Sequence, residues 1–353
     1  MSVKNKVFNT IEKKSFISLE EFMQISLHDK EFGYYRNGKP LGAQGDFITS
    51  PEISQLYGEM IGLWLTQLII TNDIKQFNLI ELGPGNGTLM TDILRVVKKL
   101  LKKIPFIKIH FIENNIHFIN RLNKDFPDAT VHSDIETTPN EFSIYIANEF
   151  FDALPIKQFI KIKDKWHERY VEFINQKNQK FLDIPYDMQN LEKKIKFKIS
   201  SKQKFIEYSP LSSKYLKDIT DKIKLNDGGV LIVDYGYIEK EMKDTLHAIS
   251  KHKYIDVLKN FGNSDITYNL SFHLISKIIK KLGSFYFAIT TQKEFLTKLG
   301  ILKRAEILSK NMLFSKKADM YFRIKRLIDD RQMGNLFKVV FITNKKNKFK
   351  LGF

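Results

Sequence analysis

Residues 77–95 have the sequence FNLIELGPGNGTLMTDILR, and this stretch decides the fold. A short apolar run predicts a buried strand that ends near Glu81, and the apolar spacing from Thr88 onward predicts an amphipathic helix. The strand and the helix are joined by three glycines, Gly83, Gly85 and Gly87. Because glycine has no Cβ, a ligand can approach the backbone N–H groups of such a turn, and the helix N-terminus is directed at that ligand.

The glycine spacing narrows the class of ligand. Dinucleotide-binding turns follow the pattern G-x-G-x-x-G, whereas here an acid precedes G-x-G-x-G, and no Lys-Ser/Thr pair follows as in a phosphate-binding loop. The carboxylate of Glu81 would repel a pyrophosphate but attract the amino group and the sulfonium of S-adenosylmethionine. The pattern therefore favours S-adenosylmethionine as the cofactor, and the alternative is an ordinary strand-to-helix turn.

The composition is that of a globular protein, and it excludes several kinds of site. Of the 353 residues, 43% are hydrophobic, which is ample for a packed core. The chain has no cysteine, which excludes disulfides, zinc–thiolate centres and cysteine nucleophiles. The histidines lie apart, and none forms an H-x-x-x-H pair on a helix. We expect no metal site.

The charge balance is strongly basic. Lys and Arg number 57 against 40 Asp and Glu, a net charge of +17 that often accompanies nucleic-acid or membrane binding. The excess is almost all lysine, densest at residues 193–204, whereas nucleic-acid recognition relies on arginine. We interpret the charge as a compositional bias and expect no nucleic-acid partner.

The amino-terminal sequence and the apolar segments bear on location. The first residues lack the apolar core of a secretory signal and the Arg/Ser-rich composition of a transit peptide. No apolar segment approaches the ~20 residues that a membrane span requires. We therefore expect a cytoplasmic protein with no membrane span.

The chain before the glycine turn is predicted to hold helices at 3–14 and 18–28, then a long glycine-rich loop at 30–49. Loops of this length inside compact proteins are usually functional or disordered. Asp46 and Thr49 lie near the end of the loop, just before a helix that Ser50 is expected to cap. We regard these side chains as candidates for contact with a ligand.

After the glycine turn, strand and helix patterns alternate, which predicts a parallel sheet with helices on both faces. Polar side chains follow the predicted strands, namely Glu81, Glu113, Asp134 and Asn148. Ligands of such sheets bind at the carboxyl ends of the strands. Glu113 could accept both hydroxyls of an adenosine ribose, and Asp134 could accept the adenine amino group. The alternative is that acids stand at solvated strand ends by chance.

The fourth strand end has the most distinctive sequence, ANEFFDALP at residues 147–155. The polar residues Asn148, Glu149 and Asp152 flank two phenylalanines. Carboxylates bind a guanidinium in bidentate fashion and aromatic faces stack on it, so this segment is suited to a planar cation. The alternative is a capped loop in which the phenylalanines are ordinary core residues.

Three segments together resemble the MidA family of class I methyltransferases, which includes the mitochondrial methyltransferase of complex I assembly. They are GDFITSPEISQ at 45–55, ELGPGNGTLM at 81–90 and ANEFFDALP at 147–155. Later segments also agree, at 234–236, 244–246, 265–267, 291–296 and 333–338. The resemblance covers essentially the whole chain.

The resemblance implies a class I S-adenosylmethionine-dependent methyltransferase fold, an α/β, Rossmann-like architecture with a seven-stranded, mostly parallel sheet. Its expected parts are N-terminal helices with an active-site loop at 1–72, a methyltransferase domain at 73–345 with a hairpin insertion at about 157–205, and a tail at 346–353. It also implies S-adenosylmethionine as methyl donor, and an arginine of a respiratory complex I (NADH:quinone oxidoreductase) subunit as acceptor. The oligomeric state stays open, with a homodimer as one possibility.

The resemblance also carries residue roles. It assigns cofactor binding to Glu81, Gly83, Gly85, Gly87, Glu113 and Asp134, with Thr49 beside them. It assigns catalysis and acceptor binding to Asn148, Glu149 and Asp152, with the loop of Asp46 closing over the site.

Two positions depart from the family pattern, and several functions stay open. Asn86 replaces a usual arginine, and Asn269 replaces a usual histidine, so no histidine proton relay is assigned. One alternative is a methyltransferase that acts on a small molecule or RNA. Another is an assembly chaperone that binds the cofactor with little catalysis, and a nucleotide-dependent oxidoreductase is more distant because of the glycine spacing.

Overall fold

The computed structural model describes residues 15–31, 33–37, 49–101, 106–175, 178–250, 253–347 and 349–353. The helix expected at 3–14 and the candidate Asp46 lie outside the described residues. Within the part of the chain that the structure describes, no helix is long and apolar enough to cross a membrane.

The described residues form both strands and helices. The strands are β1 (Phe16–Ser18), β2 (Gln76–Leu82), β3 (Phe106–Ile112), β4 (Thr130–His132), β5 (Ser143–Asn148), β6 (Lys157–Ile162), β7 (Lys165–Asn175), β8 (Asn178–Pro185), β9 (Phe205–Tyr208), β10 (Gly228–Tyr237), β11 (His247–Ser250), β12 (Lys253–Ile255), β13 (Asp265–Thr267), β14 (Leu270–Ser271), β15 (Phe285–Thr291) and β16 (Phe337–Asn344). The helices are α1 (Leu19–His28), α2 (Tyr34–Asn37), α3 (Ser50–Ile53), α4 (Gln55–Thr71), α5 (Thr88–Leu100), α6 (Ile116–Asp125), α7 (Met188–Ile195), α8 (Pro210–Asn226), α9 (Phe272–Leu282), α10 (Gln292–Lys298), α11 (Ile301–Ser309), α12 (Phe314–Ile328) and α13 (Met333–Leu336). A 3₁₀ turn occupies Ile135–Thr137.

The chain divides into two compact bodies. The first body comprises Met1–Phe47, Phe151–Lys217 and Tyr237–Gly283. The second body comprises Ile48–Phe150, Asp218–Gly236 and Ser284–Phe353. The glycine turn and the four polar strand ends from Glu81 to Asn148 therefore lie in the second body, as does Glu149.

Seven strands of the second body form a sheet in the order β15-β16-β10-β5-β2-β3-β4. The five strands from β10 to β4 are parallel, whereas β16 runs antiparallel to both β10 and β15. The expected α/β sheet is present, but it is mixed. An apolar run predicts a strand without its direction, so the antiparallel pairing could not be predicted from the pattern.

The strand order of this sheet reverses at one point. From β2 the chain proceeds to β3 and β4 on one side, then returns to β5 and β10 on the other. The register pairs Leu82 of β2 with Ile112 and with Ala147, and it pairs Val233 with Asn148. The carboxyl ends of these strands therefore lie side by side at one edge of the sheet, and the strand order reverses between β2 and β5. Ligands of open α/β sheets bind at such a point.

Two glycines allow α4 to pack closely against α5 beside the sheet. A Cβ on Gly58 would lie 2.5 Å from the Cβ of Asp92, and a Cβ on Gly62 would lie 2.9 Å from the Cβ of Val96. The same helix contributes the fully buried Trp64 to the core, where its ring meets Phe341 edge-on at 5.0 Å. This packing fixes the position of α4, whose first turn approaches the strand ends.

The first body contains antiparallel sheets. One has the order β1-β7-β6-β9 with β8 paired to β7, and the other has the order β12-β11-β13. The hairpin expected after residue 157 is present as β6 and β7, which turn through positive φ angles at Lys163 and Asp164. The segment after it also folds, as β8 and α7, which its polar composition did not predict. Helix α7 buries Met188, Leu191 and Ile195 along one face.

Candidate active site

The glycine turn has the backbone conformation that its sequence predicts. Gly83, Gly85 and Gly87 have φ angles of +63°, +53° and +73°, in the left-handed region that favours glycine. A Cβ on Gly83 would lie 3.0 Å from a ring carbon of Phe150, and a Cβ on Gly87 would lie 2.8 Å from the ring of Phe126. The turn of Gly83, Gly85 and Gly87, called the cradle below, is therefore closely packed at the start of α5 and has no room for side chains at Gly83 and Gly87.

Glu81 lies in β2 just before this cradle and is 3% exposed. Burial, followed by the charge of Glu113, raises the pKa of Glu81 to about 8. Its Oε2 atom has no hydrogen-bond partner among the described residues. A buried carboxyl oxygen without a partner is costly, and a cationic ligand beside it would favour the ionised form and pair with it. The residues present therefore fit a cofactor that carries a cationic amino group and a sulfonium.

Glu113 and Asp134 follow the ends of β3 and β4, and local backbone groups hold both carboxylates. Oε1 of Glu113 accepts hydrogen bonds from the backbone N–H groups of Asn114, at 2.7 Å, and Asn115, at 2.8 Å. Oδ1 of Asp134 accepts from the backbone N–H of Glu136 at 3.2 Å. Both acids thus lie along the same edge of the sheet as Glu81, in fixed orientations.

Glu149 begins the segment after β5 in a strained conformation. Its φ angle is +50°, which is uncommon for a residue with a side chain, and its N–H donates to the Val233 carbonyl at 2.9 Å. Its Oε1 accepts from the N–H of Ser50 at 3.0 Å and from Nδ2 of Asn148 at 3.3 Å. These contacts hold the carboxylate next to the start of α3.

Ser50 and Thr49 form the other side of this corner. Ser50 was expected to cap a helix, but it is the first residue of α3, and Thr49 precedes that helix with no side-chain cap bond. Ser50 is completely buried, and its Oγ has no hydrogen-bond partner within the described ranges. The capping role that the sequence pattern assigned to this hydroxyl is therefore wrong.

Tyr57 and Asp234 were not predicted as site residues, although both lie at this edge. The hydroxyl of Tyr57 donates to Oδ1 of Asn148 at 2.5 Å. Burial, and then the charges of Glu149, Asp234 and Glu81, raise the pKa of Tyr57 well above its usual value. The tyrosine therefore stays protonated, and the charges of three carboxyl groups act on it. Asp234 could have been identified as a site residue because it comes after the apolar residues of β10. Tyr57 could not, because in the sequence it looks like an ordinary core residue of a helix.

We expect Tyr57→Phe to lower the free energy of unfolding by about 1–3 kcal/mol, because the buried Asn148 Oδ1 loses the Tyr57 donor. Chemical denaturation of the two proteins measures this difference. Tyr254→Phe is the control, since that ring is 78% exposed and the loss of its hydroxyl should have little effect. Equal stability of wild type and Tyr57→Phe would contradict the role of this hydrogen bond.

Asp152 belongs to the first body, whereas Glu149 belongs to the second. Asp152 is 5% exposed, and the hydroxyl of Thr267 donates to its backbone carbonyl at 3.2 Å and to its Oδ2 at 3.1 Å. The hydroxyl of Tyr268 donates to the Phe151 carbonyl at 3.1 Å. The segment 265–267, noted in the sequence, thus includes a partner of the Asp152 carboxylate.

The two positions that depart from the family pattern have different surroundings. Nδ2 of Asn86 donates to Oε1 of Glu52 at 2.8 Å, and Nη1 of Arg121 donates to Oδ1 of Asn86 at 3.0 Å. A guanidinium from α6 therefore contacts the residue at which the family usually has an arginine. Asn269 uses its backbone N–H to donate to Oγ1 of Thr245 at 3.0 Å.

We expect Glu81→Gln to remove part of the pH dependence of stability. The folded protein retains the Glu81 proton up to about pH 8, whereas the unfolded chain releases it near the ordinary pKa of 4.5. The stability from this raised pKa is therefore complete below 4.5 and is lost as the pH rises through about 8, on the order of a few kcal/mol. Melting temperatures of the ligand-free proteins across this range test the prediction. Wild type should lose stability relative to Glu81→Gln as the pH rises, and parallel curves would contradict it.

Comparison with known proteins identifies the family of this chain. Residues 60–289 match a family model described as a putative S-adenosyl-L-methionine-dependent methyltransferase. Protein arginine methyltransferase NDUFAF7, mitochondrial, from Xenopus laevis is 30% identical, over 95% of this chain and 82% of that protein. The NDUFAF7 homolog of Caenorhabditis elegans is 32% identical, over 82% of this chain and 74% of that protein.

A solved structure has the same fold. It is that of a COG1565 superfamily member from Burkholderia thailandensis bound to S-adenosyl-homocysteine. The TM-score is 0.83 with 19% sequence identity, and the match covers 99% of this chain and 94% of that one. The expected methyltransferase fold class is thereby confirmed.

The expected cytoplasmic location is contradicted by these relatives, which are named as mitochondrial proteins. That prediction was wrong because the composition of the amino-terminal residues and the lack of a long apolar segment do not distinguish the two compartments.

Proposed function

The chain belongs to the family of S-adenosyl-L-methionine-dependent methyltransferases, and we propose that it methylates an arginine of a protein substrate, a subunit of respiratory complex I. The observation that carries this proposal is that the neighbouring strands β2 and β5 bring the buried Glu81 and the Glu149 carboxylate, which accepts from Asn148, to one edge of the sheet. Such a site suits two cations, the cofactor and a guanidinium. The names of the relatives support arginine, and the resemblance to MidA proteins supports complex I.

The cofactor roles in this proposal follow the edge of the sheet. Glu81 pairs with the amino group through its free Oε2, and the turn of Gly83, Gly85 and Gly87 brings backbone N–H groups close to the ligand. Glu113 accepts hydrogen bonds from the ribose hydroxyls, and Asp134 accepts one from the adenine amino group. Thr49 contacts the cofactor from the start of α3. When bound, S-adenosylmethionine supplies an electrophilic methyl group.

The acceptor roles fall to the segment after β5. An arginine side chain has a pKa above ~12, so the site has to orient the guanidinium and localise its charge. Glu149 does this through its carboxylate and accepts the proton that the methylated nitrogen releases, while the Asn148 side chain holds a further N–H group. Alignment of this kind contributes on the order of 7–11 kcal/mol to catalysis.

The proposal is tested by following the methyl group. The protein is incubated with S-adenosylmethionine labelled in the methyl group and with a protein extract from cells that lack this chain. The proteins are then hydrolysed and the labelled amino acids separated. Label in methylarginine is expected, while label in RNA or in small molecules only would contradict a protein acceptor.

A further inference from the structure

A pocket of about 500 Å³ opens in the first body. Three separate segments line it, namely the loop after α7, the segment after β10 and the first turns of α9. Its apolar residues include Phe197, Met242 and Leu274, and its lysines are Lys202, Lys240 and Lys277. The volume is in the range of ligand-binding pockets, roughly 300–1,000 Å³.

The side chains that line this pocket carry a net positive charge. Among the described residues that line it, Glu241 is the one acid, against three lysines. Lys277 extends across the wall, with Nζ 5.4 Å from the centre of the Phe197 ring. The lysine-dense stretch at 193–204 contributes Lys202, so residues that look like a compositional bias in the sequence meet lysines from distant segments.

The ring of His273 lies in the same lining and responds to this charge. Burial, and then the charges of Lys277, Lys240 and Lys280, hold the pKa of His273 below its usual value. An anion in the pocket would oppose those charges and raise this pKa.

Three hydrogen bonds fix the walls of the pocket. The side chain of Gln203 is 8% exposed, and it donates to the Lys240 carbonyl at 2.5 Å and accepts from the Met242 N–H at 3.0 Å. Oε1 of Glu192 accepts from the Ile199 N–H at 2.8 Å. The pocket is therefore held open by its own hydrogen bonds and does not have to form when a ligand arrives.

We propose that this pocket binds an acidic segment of the protein substrate, with an apolar side chain inside it and carboxylates paired with Lys202, Lys240 and Lys277. The inference rests on the proposed function, because it takes the acceptor to be a protein. The apolar lining fits an apolar side chain, and the surrounding lysines attract carboxylates. Together they fit an acidic peptide with apolar residues. A nucleic acid fits less well, because the described lining has no arginine and Lys277 covers the aromatic ring.

The probe is a short fluorescent peptide of alternating glutamate and leucine, titrated with the full chain in the absence of cofactor. We expect Lys240→Glu/Lys277→Glu to weaken binding at least about tenfold, because two attractive pairs become repulsive. Lys165→Glu/Lys253→Glu carries the same change of charge at exposed lysines elsewhere in the first body and should bind as wild type does. In wild type, NMR titration should show that the peptide raises the pKa of His273.

Equal affinity of the two double variants, or a His273 pKa that the peptide leaves unchanged, would overturn the inference. So would displacement of the peptide by inorganic phosphate at equal concentration, or a short RNA that binds in its place with the same dependence on Lys240 and Lys277. If the charge-reversed protein does not fold, the peptide affinity of Lys240→Gln/Lys277→Gln and the His273 titration in wild type replace it as the test. Since the titration needs no methyl transfer, failure to label methylarginine would overturn the proposed function alone.

Discussion

Replacement of Glu149 by glutamine is expected to lower the rate of methyl transfer by about a hundred- to a thousandfold and to leave the affinity for S-adenosylmethionine unchanged. Glutamine retains an Oε1 atom that can accept from the Ser50 N–H and the Asn148 amide, so the corner should keep its structure. It loses the charge that orients a guanidinium and the oxygen that accepts its proton. Single-turnover kinetics with an arginine-containing substrate measures the rate, and calorimetry measures the affinity.

Glu141→Gln is the matched control for this variant. Its side chain is 54% exposed and pairs with Lys108 at 3.4 Å in the same body. An exposed ion pair of this kind contributes little to the stability of the fold, so we expect the Glu141→Gln protein to have wild-type kinetics. Full activity of the Glu149→Gln protein would remove Glu149 from the chemistry.

Replacement of Gly83 by valine is expected to weaken S-adenosylmethionine binding by at least about a hundredfold. A β-branched residue is strained at the φ of +63° found there, and its Cβ would lie 3.0 Å from the Phe150 ring. The ring or the turn must move, and either movement disturbs the backbone N–H groups that the ligand approaches. Calorimetric titration with the cofactor measures the loss.

Gly300→Val separates local strain from damage to the site. Gly300 has a φ of +86°, and a Cβ there would have nothing within 4 Å. This variant therefore introduces comparable backbone strain away from the strand ends and should bind the cofactor as wild type does. If both variants bind equally well, the cradle is not the cofactor site.

Much of the geometry of the candidate site could be predicted because its signals are local. Gly83, Gly85 and Gly87 are close together in sequence, and their left-handed conformation follows from the type of turn. Glu81 and Asn148 each stand at the end of an apolar run, and parallel strands bring such ends to one edge. The strand-and-helix pattern was therefore sufficient to place them together.

The remaining features depend on contacts between distant segments. Tyr57 is hydrogen-bonded to Asn148, which is 91 positions away in sequence, and Arg121 is hydrogen-bonded to Asn86, which is 35 positions away. Local sequence patterns therefore could not identify either pair. The folded elements β8 and α7 were missed because their segment is polar and buries only one narrow face. The surroundings of Lys202 could not be predicted either, because Lys240 and Lys277 come from other parts of the chain.

The central claim is that Glu149 and its neighbours hold a protein arginine for methylation. Quantitative mass spectrometry of complex I subunits tests it, in cells that lack this chain and in the same cells supplied with wild type or with the Glu149→Gln variant. We predict a methylated arginine that disappears with the chain, returns with wild type and does not return with Glu149→Gln. An arginine methylation pattern that is the same in all these cells would contradict the claim.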